Sequence, residues 1–167
     1  MLKYFFIIVI LFLLNGCQSK VEKSLFKAYQ KNINYHHQLQ KTQKLQLYKN
    51  DITKLMLSVT YLQNNTYHKK DKKDEKFIIN LQIENKIDID LALYKLLLNK
   101  KVPLTIESLK SEDKRLKDLS FTTSWSSYFL VTFPHISSKK LVMFFESKEY
   151  GKGKLHFAKV AKYVLEK

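Results

Sequence analysis

The chain carries one thiol, Cys17, and five imidazoles, at His36, His37, His68, His135 and His156. A thiol can act as a nucleophile, ligate a metal, form half of a disulfide or accept a lipid. With no second cysteine, an intramolecular disulfide is excluded. A metal site needs ligands at set spacings, and one helical turn beyond His36-His37 stand Gln40 and Lys41, which do not serve; no metal site is expected. A catalytic nucleophile needs a base within reach and a group to orient that base. His135 follows Pro134 at the end of an apolar run, with Ser137 and Ser138 beside it, and His156 lies near the last hairpin, where the two imidazoles could approach each other. Around them there is no Gly-rich elbow and no pair of carboxylates. The chain also has no phosphate-binding glycine loop and no c-type haem motif. The expectation is a protein without catalysis, cofactor or metal. His135, His156 and Tyr150 are its candidate surface for contact with another protein.

Cys17 has a more specific context. Lys3 gives a short positive region, and Phe5 to Leu14 are ten uncharged apolar residues. That suits the core of a signal peptide, whereas a spanning helix needs about 20 such residues. The run ends in Leu14-Asn15-Gly16-Cys17, which resembles the lipobox of bacterial lipoproteins. The resemblance is confined to this signal region. It implies a diacylglyceryl thioether on Cys17, cleavage between Gly16 and Cys17, and acylation of the new amino terminus. Two or more acyl chains make membrane attachment durable where one is marginal. Gln18 stands where an Asp would retain such a protein in the inner membrane, so the resemblance also implies a cell-envelope protein at the outer membrane, facing the periplasm.

Removing residues 1–16 from the 167 leaves 151, enough for one domain that buries about two thirds of its unfolded surface. The net charge is +15, but only Arg115 among the 30 basic residues is arginine. Bidentate recognition of phosphates and bases favours the planar guanidinium, so nucleic acid is not an expected partner. A solvated lysine surface resting near anionic headgroups accounts better for the charge. The expected partners are the membrane, through the lipid on Cys17, and another envelope protein.

The elements that would carry these residues follow from hydrophobic period. From Ser19 to about Lys49 the pattern is helical, with Val21, Leu25, Tyr29 and Ile33 four apart. Such a helix could serve as a spacer or pack on the domain. From Asp51 the period becomes two: Leu55, Leu57, Val59 and Tyr61, then Phe77, Ile79, Leu81 and Ile83, then Ile87, Ile89, Leu91 and Leu93. Tyr94, Leu96 and Leu98 follow. Val102, Leu104 and Ile106 make a strand that Pro103 confines to an edge. Leu109, Leu116 and Leu119 suit one or two helical turns over the end of the fold. Trp125, Phe129, Val131 and Phe133 resume the alternation, and Leu141 to Phe145 is apolar on both faces, the mark of a central, covered strand. Gly151 and Gly153 suit positive-φ positions in a hairpin leading to Leu155, Phe157 and Val160.

The expected fold is therefore mainly β: an antiparallel, immunoglobulin-like sandwich of about seven strands after an N-terminal helix, with a small barrel as the alternative. The expected organisation is a signal peptide over 1–16, a lipidated N-terminus and helical spacer over 17–50, and the β domain over 51–167. The function expected is that of a membrane-anchored envelope lipoprotein acting as a structural or interaction module. Binding of a lipid, glycan or cell-wall fragment is the alternative.

Overall fold

The computed structural model describes residues 39–62, 73–86, 89–117, 119, 122–123 and 125–159, all within the compact unit Tyr35–Lys167. Cys17, the signal segment, the first part of the predicted helix, His36, His37 and His68 lie outside the described residues.

Eight strands follow one another: β1 Thr42–Lys49, β2 Ile52–Leu62, β3 Glu75–Ile83, β4 Lys95–Leu98, β5 Thr105–Leu109, β6 Ser127–Phe133, β7 Lys140–Ser147 and β8 Gly151–Ala158. All pairings are antiparallel. A five-stranded sheet runs β1-β2-β3-β6-β5, and a three-stranded sheet runs β4-β7-β8.

Alternation explains the layering. In β2 and β3 the odd-numbered apolar residues from Leu55 to Tyr61 and from Phe77 to Ile83 point to one side, as do Phe129, Val131 and Phe133 of β6. The small sheet sends Leu96, Leu98, Leu141, Met143, Phe145, Leu155 and Phe157 into the same core. Aromatic edges lock the join: Phe77 meets Phe133 and Phe157 at centroid distances of 5.8 and 5.3 Å. Burial of such side chains contributes on the order of 1.5–3 kcal/mol each, which is what holds the two sheets together.

At one margin β1 packs against β8. A Cβ on Gly153 would stand 2.8 Å from Leu45 Cδ2, so glycine there lets the two strands close up. Of the two glycines in this hairpin only Gly151, at φ +96°, takes a positive φ; Gly153 serves close approach instead.

The structure departs from the sequence expectation in several places. Thr42–Lys49, within the predicted helical spacer, is strand β1, held by β2. The alternation through Ile89, Leu91 and Leu93 is not a strand: Leu91–Leu93 is a 3-10 turn capped by the Asp90 carboxylate, which accepts from the Ala92 N–H. It buries Leu91 and leaves Leu93 exposed. Trp125 lies before β6 and is 69 % exposed. Leu109, Leu116 and Leu119 do cluster, but on the outer face of the five-stranded sheet and not over its end: Leu109 closes β5 beside Tyr128, and Leu116 and Leu119 pack there with Ile78, Tyr128 and Leu130. β7 is central, as its apolar run requires, yet only one of its faces is covered.

Candidate functional site

The uncovered face belongs to the small sheet. Directly paired residues of antiparallel strands point to the same side. Leu97 of β4 pairs with Phe144 of β7, which pairs with Lys154 of β8; two residues along β7, Val142 pairs with His156. None of these five is buried, whereas their neighbours Leu96, Leu98, Leu141, Met143, Phe145, Leu155 and Phe157 all are. Leu97, Val142 and Phe144 thus form a short apolar floor crossing the sheet, and they line a hollow of about 680 Å³.

Its walls are cationic. Lys95, Lys100, Lys140 and Lys154 line the hollow, with Asn99 and Ser138 as the uncharged polar groups and no carboxylate. The Lys95 ammonium lies 5.8 Å from the centre of the Phe144 ring, a cation–π distance. Glu146 stands just beyond and pairs with Lys95 at 3.5 Å. Lys152, paired in register with Glu146, extends the basic strip along β8.

The hollow's end is built by a turn. Asn99 and Lys100 take positive φ values of 45° and 70° after β4. The Asn99 side chain accepts from the Val142 N–H at 2.6 Å and donates to the Lys140 carbonyl at 3.2 Å, fastening the β4 turn to β7. Asparagine tolerates this left-handed backbone and supplies both halves of the clasp.

The predicted contact residues are dispersed. His156 is on the open face, exposed, beside Val142. His135 precedes β7, and its Nδ1 lies 3.1 Å from the Lys73 carbonyl and 3.6 Å from Glu75 Oε1. Tyr150 follows β7, half-buried against the main core, with the Lys86 ammonium 6.0 Å from its ring centre. The described contacts of His135 run to Lys73 and Glu75 and not to His156, so the structure does not assemble an imidazole pair.

Beside His135 is a buried cluster that sequence reasoning missed. The Glu75 carboxylate, 4 % exposed, accepts from the Tyr61 hydroxyl at 2.6 Å and the Ile136 N–H at 3.1 Å, and pairs with the Lys159 ammonium. Burial and the adjacent carboxylate push the Tyr61 phenol well above its ordinary range. Both carboxylate oxygens are occupied, so this is a latch between β2, β3 and the ends of β6 and β8. The signal was weak: a lone Glu opening an apolar strand.

Two further sites are internally paired. Arg115 reaches both Glu107 oxygens, at 2.7 and 3.1 Å, and Asp113 at 2.7 Å, so the chain's sole guanidinium is engaged by β5 and by the loop that follows it. The Arg115 hydrogen bonds hold the Asp113 carboxyl down to about 2. A second hollow of about 410 Å³ on the five-stranded sheet, edged by Trp125, contains the Lys54–Glu84 ion pair and Gln82, which bonds Ser126 at 2.6 Å. Among the described residues no three His, Cys, Asp or Glu side chains gather into a group able to hold a metal ion. No helix among the described residues is long and apolar enough to cross a membrane.

No family model matches this chain, and no curated protein or solved structure matches it either. Its class rests on what it is built from: two antiparallel sheets sharing one core.

Proposed function

We propose that this protein is an envelope lipoprotein, held at the membrane through lipid on Cys17, whose β domain acts as an interaction module without catalysis. The observation that carries the reading is the open face of β4-β7-β8, where Leu97, Val142 and Phe144 lie only half-buried among lysines while Ile78 and Tyr128 on the other sheet are buried under their own chain. A chain that covers one outer face and leaves the other apolar has a surface suited to something external. The lipobox-like Leu14-Asn15-Gly16-Cys17 supports the address: cell envelope, at the outer membrane and facing the periplasm. The same hollow favours a second reading, in which the domain binds a lipid, glycan or cell-wall fragment.

The domain is read as immunoglobulin-like in architecture. With β1 set aside, the order β2-β3-β6-β5 against β4-β7-β8 corresponds to the ABED and CFG sheets of constant-type immunoglobulin domains. β1 is then an additional strand on the first of these. With Cys17 the sole cysteine, the likeness is one of layout and not of the Cys-Trp-Cys core.

The test is crosslinking in intact cells fed an alkynyl palmitate, comparing the native chain with Cys17→Ala. The expected result is acyl label on the native chain alone, and a discrete crosslinked envelope protein lost with the anchor. An unlabelled native chain overturns the lipoprotein reading. A labelled chain that captures no protein turns the weight to the ligand-binding alternative.

A further inference from the structure

We propose that the outer face of β4-β7-β8 docks on an anionic lipid bilayer, with Leu97, Val142 and Phe144 entering the headgroup layer and Lys95, Lys100, Lys140 and Lys154 meeting lipid phosphates. This deepens the tethered-module reading by naming what covers the open face.

Charge complementarity selects the occupant. The hollow is lined by four ammonium groups and no carboxylate. Among the described residues no carboxylate pairs with Lys100, Lys140 or Lys154. Two copies could not meet face to face here without setting these cations against each other. Protein–protein interfaces are depleted in lysine and enriched in arginine, and here every basic residue in the lining is lysine. Anionic leaflets, by contrast, are met by lysine clusters, whose long stems lie along apolar surface while the ammonium stays at the phosphates.

The shape agrees with a surface ligand. The floor is two residues long on β7 and one wide on β4, set on the outside of a sheet and separated from the main core by β7 itself. It offers shallow insertion for one aromatic and two aliphatic side chains, the depth at which interfacial apolar groups sit. The lysines come from a β4 end, a β4–β5 turn, the start of β7 and the middle of β8, so they surround the floor instead of lying on one flank.

The experiment uses the full chain in vesicles, with a photoreactive benzoylphenylalanine in place of Phe144 or, as the comparison, in place of Trp125, which is the more exposed of the two and edges the other hollow. Vesicles are phosphatidylcholine alone or phosphatidylcholine with phosphatidylglycerol. The expected result is lipid crosslinking from position 144, well above that from 125, only when phosphatidylglycerol is present. Each lysine near an anionic surface is worth about fivefold in affinity, so Lys140→Glu with Lys154→Glu lowers the affinity by about 25-fold or more, read as a matching fall in yield. High salt weakens the contact in the same direction. Equal yields from 144 and 125, a yield indifferent to phosphatidylglycerol or to the two reversals, or crosslinking from 144 to a protein in place of lipid each overturns the proposal. Retention of the chain on phosphatidylcholine vesicles reports the tether separately. Loss of that retention with lipid crosslinking intact on anionic vesicles fails the tether and leaves the docking face standing.

Discussion

The two outer faces of this domain begin from similar material and end differently. On the five-stranded sheet, Ile78, Tyr128 and Leu130, with Leu109 at the end of β5, are covered by Leu116 and Leu119 from the link between β5 and β6. Tyr128 ties that link down, its hydroxyl accepting from the Thr123 N–H at 2.6 Å and donating to the Thr123 carbonyl at 3.1 Å. Arg115 in this link is neutralised by Asp113 beside it and by Glu107 of β5. On the three-stranded sheet, Leu97, Val142 and Phe144 receive no such roof, and the surrounding lysines face outward. The difference teaches that exposed apolar surface is not forced by a shortage of chain: the fold closes part of one face with a capped loop and leaves the other ringed by lysines, with Glu146 at its margin.

Mutations can break or sharpen this contrast. The largest effect falls where the two sheets are latched to each other. Glu75→Ala strips the Lys159 ammonium, the Tyr61 hydroxyl and the Ile136 N–H of their shared partner. Breaking a buried ion pair in this way costs about 3–5 kcal/mol, to be read as a lowered denaturant midpoint. A loss below about 1 kcal/mol would mean that the pole is solvated and the latch decorative.

Next, Leu116→Ala opens a cavity under the roof of the closed face and costs about 2–5 kcal/mol, whereas Phe144→Ala on the open face costs below about 1 kcal/mol. Equal losses at the two positions, measured by denaturant unfolding, would erase the distinction between a roofed face and a free one.

The smallest effect is electrostatic. Asp113 is held at about 2 in the folded loop, chiefly by the Arg115 hydrogen bonds, below the ordinary value of 3.8. A carboxylate depressed in the native state adds stability at pH values above its unfolded value, and that contribution is lost as pH falls through the folded one. The Arg115 clasp is therefore expected to persist at pH 5 and to open between about pH 4 and 2. Carboxyl and guanidinium NMR signals would report this. A clasp already open at pH 5 would remove the electrostatic half of the comparison.

Much of this was legible in sequence where one side of a strand is buried. The odd-numbered apolar residues of β2, β3 and β6 and the Leu96–Leu98 pair predicted both strands and faces, because a period of two leaves no other way to bury them. β1 was missed because Gln43, Lys44, Gln46 and Lys49 suit a helix as well as an edge strand. Only Leu45 and Leu47 alternate there, and pairing with β2 decides the conformation. Asp90 was the available sign that Leu91–Leu93 would turn. It went unread because the apolar residues around it also fitted a strand. The open face was half legible. Leu141 to Phe145 announced apolar residues on both sides of β7, and the natural inference was a cover on each. No local pattern could bring Lys95, Lys100, Lys140 and Lys154 together, since their meeting depends on strand register across the small sheet.

The Glu75–Lys159 latch also sets an order in time. Its partners are 84 positions apart in the chain, and β3 must likewise find β6 across the β4 and β5 segments. Closing loops of that length is entropically costly and slows folding relative to local hairpins such as β7–β8. The pole that Glu75 completes therefore cannot close until residue 159 has been made. A chain emerging in order from its N-terminus stays open, with β2 and β3 paired to each other but unlatched, through most of its synthesis. Under the lipoprotein reading proposed above, in which the chain is exported, such late closure would keep it threadable.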